Sequence, residues 1–328
     1  MSAIIFGGSG FIGTRLSSRL VKSQKSFEIV DKVASGFFPE RVLLADLRYP
    51  LTLSFHVKPT ALINLAAEHR DDVRPLSLYD EVNIDGARNV CNLARSEGVN
   101  KIIFTSSVAV YGFAPLGTNE SGKISPFNDY GRTKWEAEQI YKDWQAEDPE
   151  NRTLVIVRPT VVFGERNRGN VFNLLRQIAS GKFLMVGDGL NRKSMAYVEN
   201  VAAFIEYSLH FEPGLHIYNY IDKPDFTMNE LIVHVNKLLG KSSDIKIRIP
   251  YWIGLNIGKV FDIIAFLTRK KFAISSIRVK KFCANSVYES AIDKTGFVAP
   301  IPLMEAIEET VRYEFLEDHQ SEQVFYTE

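Results

Sequence analysis

The residues best suited to chemistry are Tyr130 and Lys134, together with the earlier run Thr105-Ser106-Ser107. Residues four apart on a helix share one face, so the lysine ammonium could lie beside the phenol and favour its ionised form. Ionising a phenol of ordinary pKa at neutral pH costs roughly 4 kcal/mol, and a cation about 4 Å away supplies a similar energy at an effective dielectric constant of roughly 20. The pattern therefore predicts a tyrosine that acts as a base, although such pairs also occur on ordinary solvated helices.

Composition sets limits on the kind of protein. The chain has 328 residues, of which 45% are hydrophobic and 24% charged, as is typical of a globular protein. Its 39 basic and 39 acidic residues give zero net charge, so we predict no nucleic-acid partner. Cys91 and Cys283 are the only cysteines and form no C-x-x-C pattern, which indicates a reducing compartment. The six histidines have no metal-ligand spacing, and we predict no metal. We expect neither a signal peptide nor a membrane-spanning helix.

A glycine-rich turn joins the apolar run at residues 2–6 to a helix-like stretch that continues to about residue 22. Glycines at these positions allow a tight turn, a close approach of the backbone to a pyrophosphate, and packing of the helix on the strand. The helix N-terminus then binds the anion. The residues predicted to contact the cofactor here are Gly7, Gly10, Phe11, Ile12 and Gly13.

The second apolar run, at residues 27–31, ends in an acid. Asp31 lies about 20 residues beyond the glycine turn, where a carboxylate binds the hydroxyls of the adenosine ribose. This acid would repel the 2′-phosphate of NADP, whereas its neighbour Lys32 would attract it. We therefore predict NAD as the cofactor.

Further short apolar runs alternate with helix-like stretches, which is the pattern of a parallel sheet covered on both faces. The runs are at residues 42–46, 61–66, 101–107 and 153–158, and the long helices at residues 75–97 and 130–147. Ligands of such sheets bind beyond the carboxyl ends of the strands, so these ends should meet at one cleft. We predict an α/β fold with a Rossmann-type, doubly wound parallel sheet.

The regular alternation ends near residue 164. Beyond it we predict turn-rich stretches at residues 167–170, 187–189 and 221–226, and helices at residues 171–180, 197–209 and 227–239. The predicted division is a cofactor-binding region at residues 1–165, to which about 195–222 return, and a smaller C-terminal substrate-capping region from residues 166–194 and 223–328.

Motifs along nearly the whole chain resemble those of the extended short-chain dehydrogenase/reductase family, in its nucleotide-sugar epimerase branch. They are FGGSGFIG (6–13), ADL (45–47), NLAA (64–67), TSSVAVYG (105–112), YGRTK (130–134), RPTVVFG (158–164), GDG (187–189) and YVENVA (197–202). The resemblance implies that Ser107, Tyr130 and Lys134 are catalytic. It also implies cofactor contacts from Asp46 and Leu47 beside the adenine, and from Ala66, Ala67 and Asn83 in the cleft.

Two departures from this branch are informative. Sugar 4,6-dehydratases carry an Asp-Glu pair where this chain has Val108-Ala109, and neither of these side chains can move a proton. Dehydration is therefore not expected, and chemistry should stop at C4. Relatives often have an arginine that binds the substrate diphosphate where this chain has Lys193. A lysine ammonium acts as a point charge, whereas an arginine guanidinium can donate two parallel hydrogen bonds to a phosphate.

A narrower resemblance, to the 4-epimerases of undecaprenyl-diphosphate-linked N-acetylhexosamines, covers runs outside those motifs. The runs are residues 67–73, 165–171, 193–198, 218–225 and 275–284. It implies a role in the assembly of surface polysaccharide such as O-antigen. We predict substrate contacts from Glu68, His69, Arg70, Arg158, Asn170, Lys193 and Arg278. The first three could equally form a charge cluster at a strand end.

The predicted reaction is reversible oxidation at C4, with Tyr130 as the base, Ser107 bound to the C4 oxygen, and Lys134 holding the nicotinamide ribose. Three alternatives remain open: an epimerase of UDP-linked hexosamines, a 4-keto-sugar reductase that consumes reduced cofactor, and an NAD-sensing regulator on the same fold. A homodimer is also left open.

A last apolar segment lies at residues 251–267, where apolar residues recur at helical spacing before a cluster of cations. The predicted stripe is Ile253, Ile257, Val260, Ile264 and Leu267, with Asn256, Lys259 and Asp262 on another face; the cations are Arg269, Lys270, Lys271, Arg278, Lys280 and Lys281. One interpretation is a core helix whose flanking cations bind the substrate diphosphate. The other, which we predict, is an interfacial helix at the cytoplasmic face of the membrane, because a polyprenyl-linked sugar cannot leave the bilayer.

Overall fold

The computed structural model describes residues 1–70, 73–181, 183–243, 247–268, 275–319 and 322–327. The strands are β1 Ser2–Phe6, β2 Ser26–Asp31, β3 Val42–Leu44, β4 Ala61–Asn64, β5 Lys101–Thr105, β6 Thr153–Pro159, β7 Val161–Phe163, β8 Met185–Val186, β9 Arg192–Tyr197, β10 Gly214–Tyr220, β11 Asp222–Thr227 and β12 Arg248–Ile249. The helices are α1 Phe11–Lys22, α2 Ser77–Tyr79, α3 Gly86–Glu97, α4 Asp129–Ala146, α5 Asn170–Ala179, α6 Val198–Ser208, α7 Met228–Leu238, α8 Tyr251–Thr268, α9 Ser276–Cys283 and α10 Leu303–Phe315.

Seven of the described strands form one parallel sheet in the order β10-β6-β5-β4-β1-β2-β3. Successive residues of β1 face opposite layers: Ala3 and Ile5 pack with α1 and α6, whereas Ile4 and Phe6 pack with α3 and α4. Both faces are thus covered, which explains why these strands are apolar throughout rather than alternating. The predicted α/β fold with a doubly wound parallel sheet is confirmed.

A second, smaller layer joins the carboxyl end of the main sheet. Strands β11, β9 and β7 form its sheet, and α5, α7 and α10 pack with it in a separate apolar cluster. The chain returns from this layer to the main sheet through α6 and β10, where β10 pairs with β6. The predicted boundaries of the two regions stay a prediction.

Two sequence-based assignments differ from the structure. Residues 221–226 were expected to be turn-rich, but β11 runs from Asp222 to Thr227 and pairs antiparallel with β9. Its register shifts between Asp222 and Phe226, and this irregularity accommodates Pro224, which could not donate to a regular ladder. The helix expected at residues 75–97 begins at Ser77 and contains a π-helical turn at Asp80–Asp85.

Helix α8 lies on the surface and is held along one narrow stripe. A Cβ on Gly258 would come within 2.7 Å of the Ser276 backbone nitrogen, and one on Gly254 within 2.5 Å of the Val186 side chain. Asp262, expected on another face than the apolar stripe, accepts hydrogen bonds from the backbone N–H of Ser276 at the start of α9. By length and composition alone α8 could cross a membrane, contrary to the expectation from uncharged runs, which Lys259 and Asp262 interrupt.

Candidate active site

The glycine turn between β1 and α1 passes directly over the end of β4. Gly7 has a φ of 74°, and a Cβ there would lie 2.7 Å from the backbone nitrogen of Ala66. A Cβ on Gly13 would lie 2.6 Å from the carbonyl oxygen of Gly7, so the helix packs closely on the turn. The first N–H groups of a helix have no partner within it, and here they belong to the predicted Phe11 and Ile12. The turn therefore fits a dinucleotide pyrophosphate.

Asp31 at the end of β2 braces this turn. Its two carboxylate oxygens accept hydrogen bonds from the backbone N–H of Ser9 at 3.1 Å and of Val33 at 3.2 Å. Burial raises the pKa of Asp31, and these hydrogen bonds partly offset the shift. A carboxylate oxygen can accept two hydrogen bonds, so Asp31 retains capacity for the ribose hydroxyls.

At the end of the sheet predicted to bind the adenine, Asp46 has a partner that the sequence did not reveal. The Arg48 guanidinium donates to both Asp46 oxygens, with an Nη2–Oδ2 distance of 2.7 Å, and lowers the pKa of that carboxyl. Leu47 is buried against Gly86 at the start of α3. The predicted Asp46-Leu47 pair therefore forms a fixed wall at this end of the cleft.

Ser107 and Tyr130 are brought together by two helix starts. Ser107 caps a 3-10 helix, Val108–Tyr111, by accepting from the Ala109 N–H at 3.1 Å. Tyr130 lies in the first turn of α4, whose cap Asn128 accepts from the Gly131 N–H at 2.9 Å. A Cβ on Gly131 would lie 2.5 Å from the Ala109 carbonyl oxygen, so only glycine permits this approach.

The electrostatics of Tyr130 differ from the expectation. Tyr130 is half-buried in the cleft, and the surrounding protein raises the pKa of its phenol, while a hydrogen bond with Ser107 lowers it. The Lys134 ammonium is engaged elsewhere, because it donates to the Thr105 carbonyl at 2.8 Å and lies over the Phe104 ring. Burial lowers the pKa of Lys134 to about 7. Ser107 is therefore the side chain that favours the ionised phenol in this structure.

The loop after β4 faces Lys134. Asn83 fixes it, because its amide accepts from the Glu68 N–H at 2.9 Å and donates to the Glu68 carbonyl and to Thr133 of α4. Although His69 is exposed at the end of this loop, the protein around its ring lowers its pKa, and the charges of Lys134 and Arg70 lower it further. Glu68, His69 and Arg70 thus lie at the predicted cleft, while Asn83 holds the Glu68 backbone instead of pointing its amide into the cleft.

Arg158 is placed beneath the site and not in it. Its side chain is 2% exposed, and it donates to Glu138 through Nε at 2.8 Å and Nη2 at 2.5 Å. It also donates to the Tyr111 hydroxyl at 2.7 Å, and Ser106 donates to the same Glu138 carboxylate at 2.6 Å. The prediction that Arg158 contacts the substrate is not supported by this geometry, because the guanidinium is enclosed by protein partners.

The other predicted substrate residues are dispersed. Lys193 donates to the carbonyl oxygens of Lys281 at 2.7 Å and Ala284 at 2.6 Å, so it holds the end of α9. Burial lowers its pKa to about 8. Asn170 is exposed at the start of α5, and Arg278 is exposed on α9. These three residues lie on three different elements, β9, α5 and α9.

Most of the chain matches one known family of enzymes. A model of the NAD dependent epimerase/dehydratase family matches residues 3–219. The chain belongs to this family. Membership confirms the family resemblance, the enzyme prediction and the NAD cofactor, which the glycine turn and Asp31 fit.

Relatives within the family differ in how closely they match. N-acetyl-alpha-D-glucosaminyl-diphospho-ditrans,octacis-undecaprenol 4-epimerase of Escherichia coli O157:H7 is 45% identical over 330 residues, covering 100% of this chain and 99% of that protein. UDP-glucose 4-epimerase of Vibrio cholerae is 29% identical over 292 residues, covering 81% of this chain and 85% of that protein.

Solved structures support the fold. UDP-glucose 4-epimerase of Thermotoga maritima with UDP-glucose has a TM-score of 0.73 at 19% identity, covering 95% of this chain and 98% of that one. UDP-N-acetylglucosamine 4-epimerase of Methanobrevibacter ruminantium M1 has a TM-score of 0.70 at 20% identity, covering 95% and 97%. At these identities the likeness concerns the fold alone.

Proposed function

We propose that this chain is an NAD-dependent 4-epimerase that interconverts N-acetylglucosamine and N-acetylgalactosamine on undecaprenyl diphosphate, for surface polysaccharide such as O-antigen. The observation that carries the proposal is the 45% identity, over the full length of both chains, to a relative named for that lipid-linked sugar. The juxtaposition of Ser107, Tyr130 and Lys134 at the end of the sheet supplies the chemistry.

Tyr130 removes the proton from the C4 hydroxyl, and the Ser107 hydroxyl donates a hydrogen bond to the C4 oxygen. NAD, when bound, supplies the hydride acceptor and donor for C4. After the sugar has presented its opposite face, Tyr130 returns the proton to the C4 oxygen as the hydride would return to C4, so that the base and the cofactor both regain their starting states. Val108 and Ala109 beside Ser107 carry no acid or base, which restricts the reaction to C4.

The decisive experiment compares carriers. Purified protein without added nicotinamide is given undecaprenyl-diphospho-N-acetylglucosamine in detergent or UDP-N-acetylglucosamine, with Tyr130→Phe as the matched control. We expect catalytic epimerisation of the lipid-linked sugar at a clearly higher kcat/KM than of the nucleotide sugar. Higher activity on the nucleotide sugar would favour the UDP-hexosamine alternative. In a parallel assay with added NADH and a 4-keto-sugar, stoichiometric consumption of the NADH, without epimerisation in the first assay, would favour the reductase.

We also propose that the protein is peripheral at the cytoplasmic face of the membrane, attached through α8. Packing through Gly254, Gly258 and Asp262 leaves most of this apolar helix in water: Phe266 is 84% and Leu267 73% exposed. Such a surface is costly in water and is stabilised in a lipid interface. The cations Arg278, Lys280 and Lys281 lie on neighbouring α9, and Arg269, Lys270 and Lys271 fall outside the described residues.

Liposome sedimentation tests the attachment. Each cation near an anionic leaflet contributes roughly 1 kcal/mol, so we expect binding to anionic vesicles at low salt and release at high salt. Phe266→Ser with Leu267→Ser should abolish binding. The control Leu215→Ser with Leu316→Ser removes exposed apolar side chains elsewhere and should leave it unchanged. Equal behaviour of the two double variants, or no binding by the wild type, would refute the proposal.

A further inference from the structure

Two large aromatic side chains are exposed side by side at the rim of the cleft. Phe113 is 65% and Phe127 46% exposed, and their rings stack with centroids 4.8 Å apart at 29°. Phe113 follows the 3-10 helix that Ser107 caps, and Phe127 immediately precedes Asn128, the cap of the helix that carries Tyr130. The pair therefore lies directly outside the catalytic residues. A stacked pair this exposed gains little from the core and marks a binding surface.

A cation accompanies this pair. The Lys281 ammonium lies 4.9 Å from the centroid of the Phe127 ring. Its backbone is fixed from below, because Lys193 donates to the carbonyl oxygens of Lys281 and Ala284. The rim thus combines an apolar platform with a positive charge. This combination matches a ligand in which a phosphate is joined to hydrocarbon.

The same helix links the rim to α8. Helix α9 begins at Ser276, where Asp262 of α8 accepts its backbone N–H, and ends beside Phe127. Eight residues of helix span about 12 Å. The aromatic rim and the exposed apolar surface of α8 therefore lie at opposite ends of α9. A diphosphate and the first units of a polyprenyl chain are long enough to bridge this distance.

We propose that Phe113, Phe127 and Lys281 bind the carrier portion of the substrate, with the diphosphate beside Lys281 and the first isoprene units on the two rings. This inference rests on the proposed function, since it assumes a polyprenyl-linked sugar. The rings also have the chemistry to stack on a uracil base, and the experiment separates that occupant from an isoprenoid.

The test compares two substrates without membrane or detergent. One is farnesyl-diphospho-N-acetylglucosamine, whose short prenyl chain leaves it soluble in water, and the other is UDP-N-acetylglucosamine. Phe113→Ala with Phe127→Ala should raise KM for the prenyl-linked sugar about tenfold, with kcat unchanged, and should leave kcat/KM for the nucleotide sugar unchanged. Phe113→Leu with Phe127→Leu keeps an apolar surface and should preserve KM for the prenyl-linked sugar. Leu215→Ala, also 46% exposed but at the amino end of edge strand β10, opposite the carboxyl ends that form the cleft, is the matched control.

The outcomes are distinguishable. Unchanged KM in the alanine variant, while the wild type turns over the prenyl-linked sugar normally, overturns this inference and leaves the proposed function intact. A greater loss of kcat/KM for the nucleotide sugar than for the prenyl-linked sugar, also seen in the leucine variant, would assign the rings to uracil binding. That result too would overturn this inference. Failure of the wild type to epimerise any prenyl-linked sugar overturns the proposed function and this inference together. Bound NAD at the wild-type stoichiometry shows that each variant is folded.

Discussion

The ammonium of Lys134 donates a 2.8 Å hydrogen bond to the carbonyl oxygen of Thr105, two residues before Ser107. The lysine therefore joins α4 to the end of β5 from beneath the cleft. Burial lowers its pKa to about 7, so this enclosed amine loses its proton at a much lower pH than an exposed lysine does.

Lys134→Met should change the pH dependence of stability. The folded-state pKa of about 7 lies below the usual 10.5, so between these values the unfolded chain binds a proton that the folded chain does not. The free energy of unfolding of the wild type should therefore rise with pH relative to the variant, by up to about 1.4 kcal/mol per pH unit. Urea denaturation at several values between pH 7.5 and 9.5 measures this difference. Parallel curves for the two proteins would contradict it.

Tyr130→Phe should lower kcat by about 10²–10⁴-fold, because it removes the base while leaving the ring in place. The glycine turn and Asp31 are untouched, so the bound NAD should stay at the wild-type stoichiometry. Release of the cofactor by heat denaturation gives that stoichiometry. Activity close to that of the wild type would exclude Tyr130 as the base.

Ser107→Ala should move the acid limb of the rate profile to higher pH. The Ser107 hydroxyl lowers the pKa of Tyr130 against the opposing effect of burial, so its loss leaves the phenol protonated over a wider range. The kcat of the variant should fall at neutral pH and recover partly on the alkaline side. Ser107→Thr, which retains a hydroxyl, is the control and should show a smaller displacement. A uniform loss at every pH would assign Ser107 to a role other than tuning Tyr130.

Gly131→Ala and Gly86→Ala form a matched pair of helical glycines. A Cβ at Gly131 would meet the Ala109 carbonyl oxygen at 2.5 Å, whereas one at Gly86 would meet the Leu47 side chain at 3.4 Å. Alanine favours a helix by about 1 kcal/mol over glycine, so Gly86→Ala should be neutral or stabilising. Gly131→Ala should cost about 1–3 kcal/mol and lower kcat, because it separates Tyr130 from Ser107. Thermal melting and steady-state rates of both variants test this contrast.

Arg158→Met should destabilise the protein by about 3–5 kcal/mol, since the buried Glu138 carboxylate loses its two guanidinium hydrogen bonds and keeps the Lys142 ammonium, 3.7 Å away, as its cation. Adding Glu138→Gln removes that charge and should restore most of the stability and the activity. Denaturant midpoints and kcat/KM of the single and double variants provide the measurement. A double variant that is stable but binds substrate poorly would return Arg158 to the substrate contacts.

Much of the fold follows from local sequence pattern. The apolar runs of β1, β2 and β5, interrupted by glycines and helix-like stretches, are enough to predict a parallel sheet because each run is short and uniformly apolar. Strand β11 was missed since Pro224 and its charged neighbours are typical of turns, and only pairing with β9 makes the segment a strand.

The site was predictable in its residue types but not in their directions. Spacing places Lys134 on the same helix face as Tyr130, yet the Thr105 carbonyl that binds its ammonium belongs to a strand distant in sequence. The burial of Arg158 depends on Glu138, one helical turn beyond Lys134, and no local pattern pairs the two. In α8, Gly254 and Gly258 are four residues apart and mark the face that packs against Val186 and Ser276. This spacing was a signal that the sequence-based prediction did not use.

The position of β10 bears on how the chain acquires its structure. All seven residues of β6 are buried, and β10 covers one edge of it in full register, from Thr153 opposite Gly214 to Pro159 opposite Tyr220. A fragment ending at residue 165 would keep the glycine turn and Tyr130 but expose that edge, with its row of unpaired N–H and C=O groups, to other chains. The cofactor-binding region at residues 1–165 therefore lacks one edge of its sheet when it is separated from the rest of the chain. During synthesis the sheet can be completed only after residue 220 has emerged, and shorter products should aggregate.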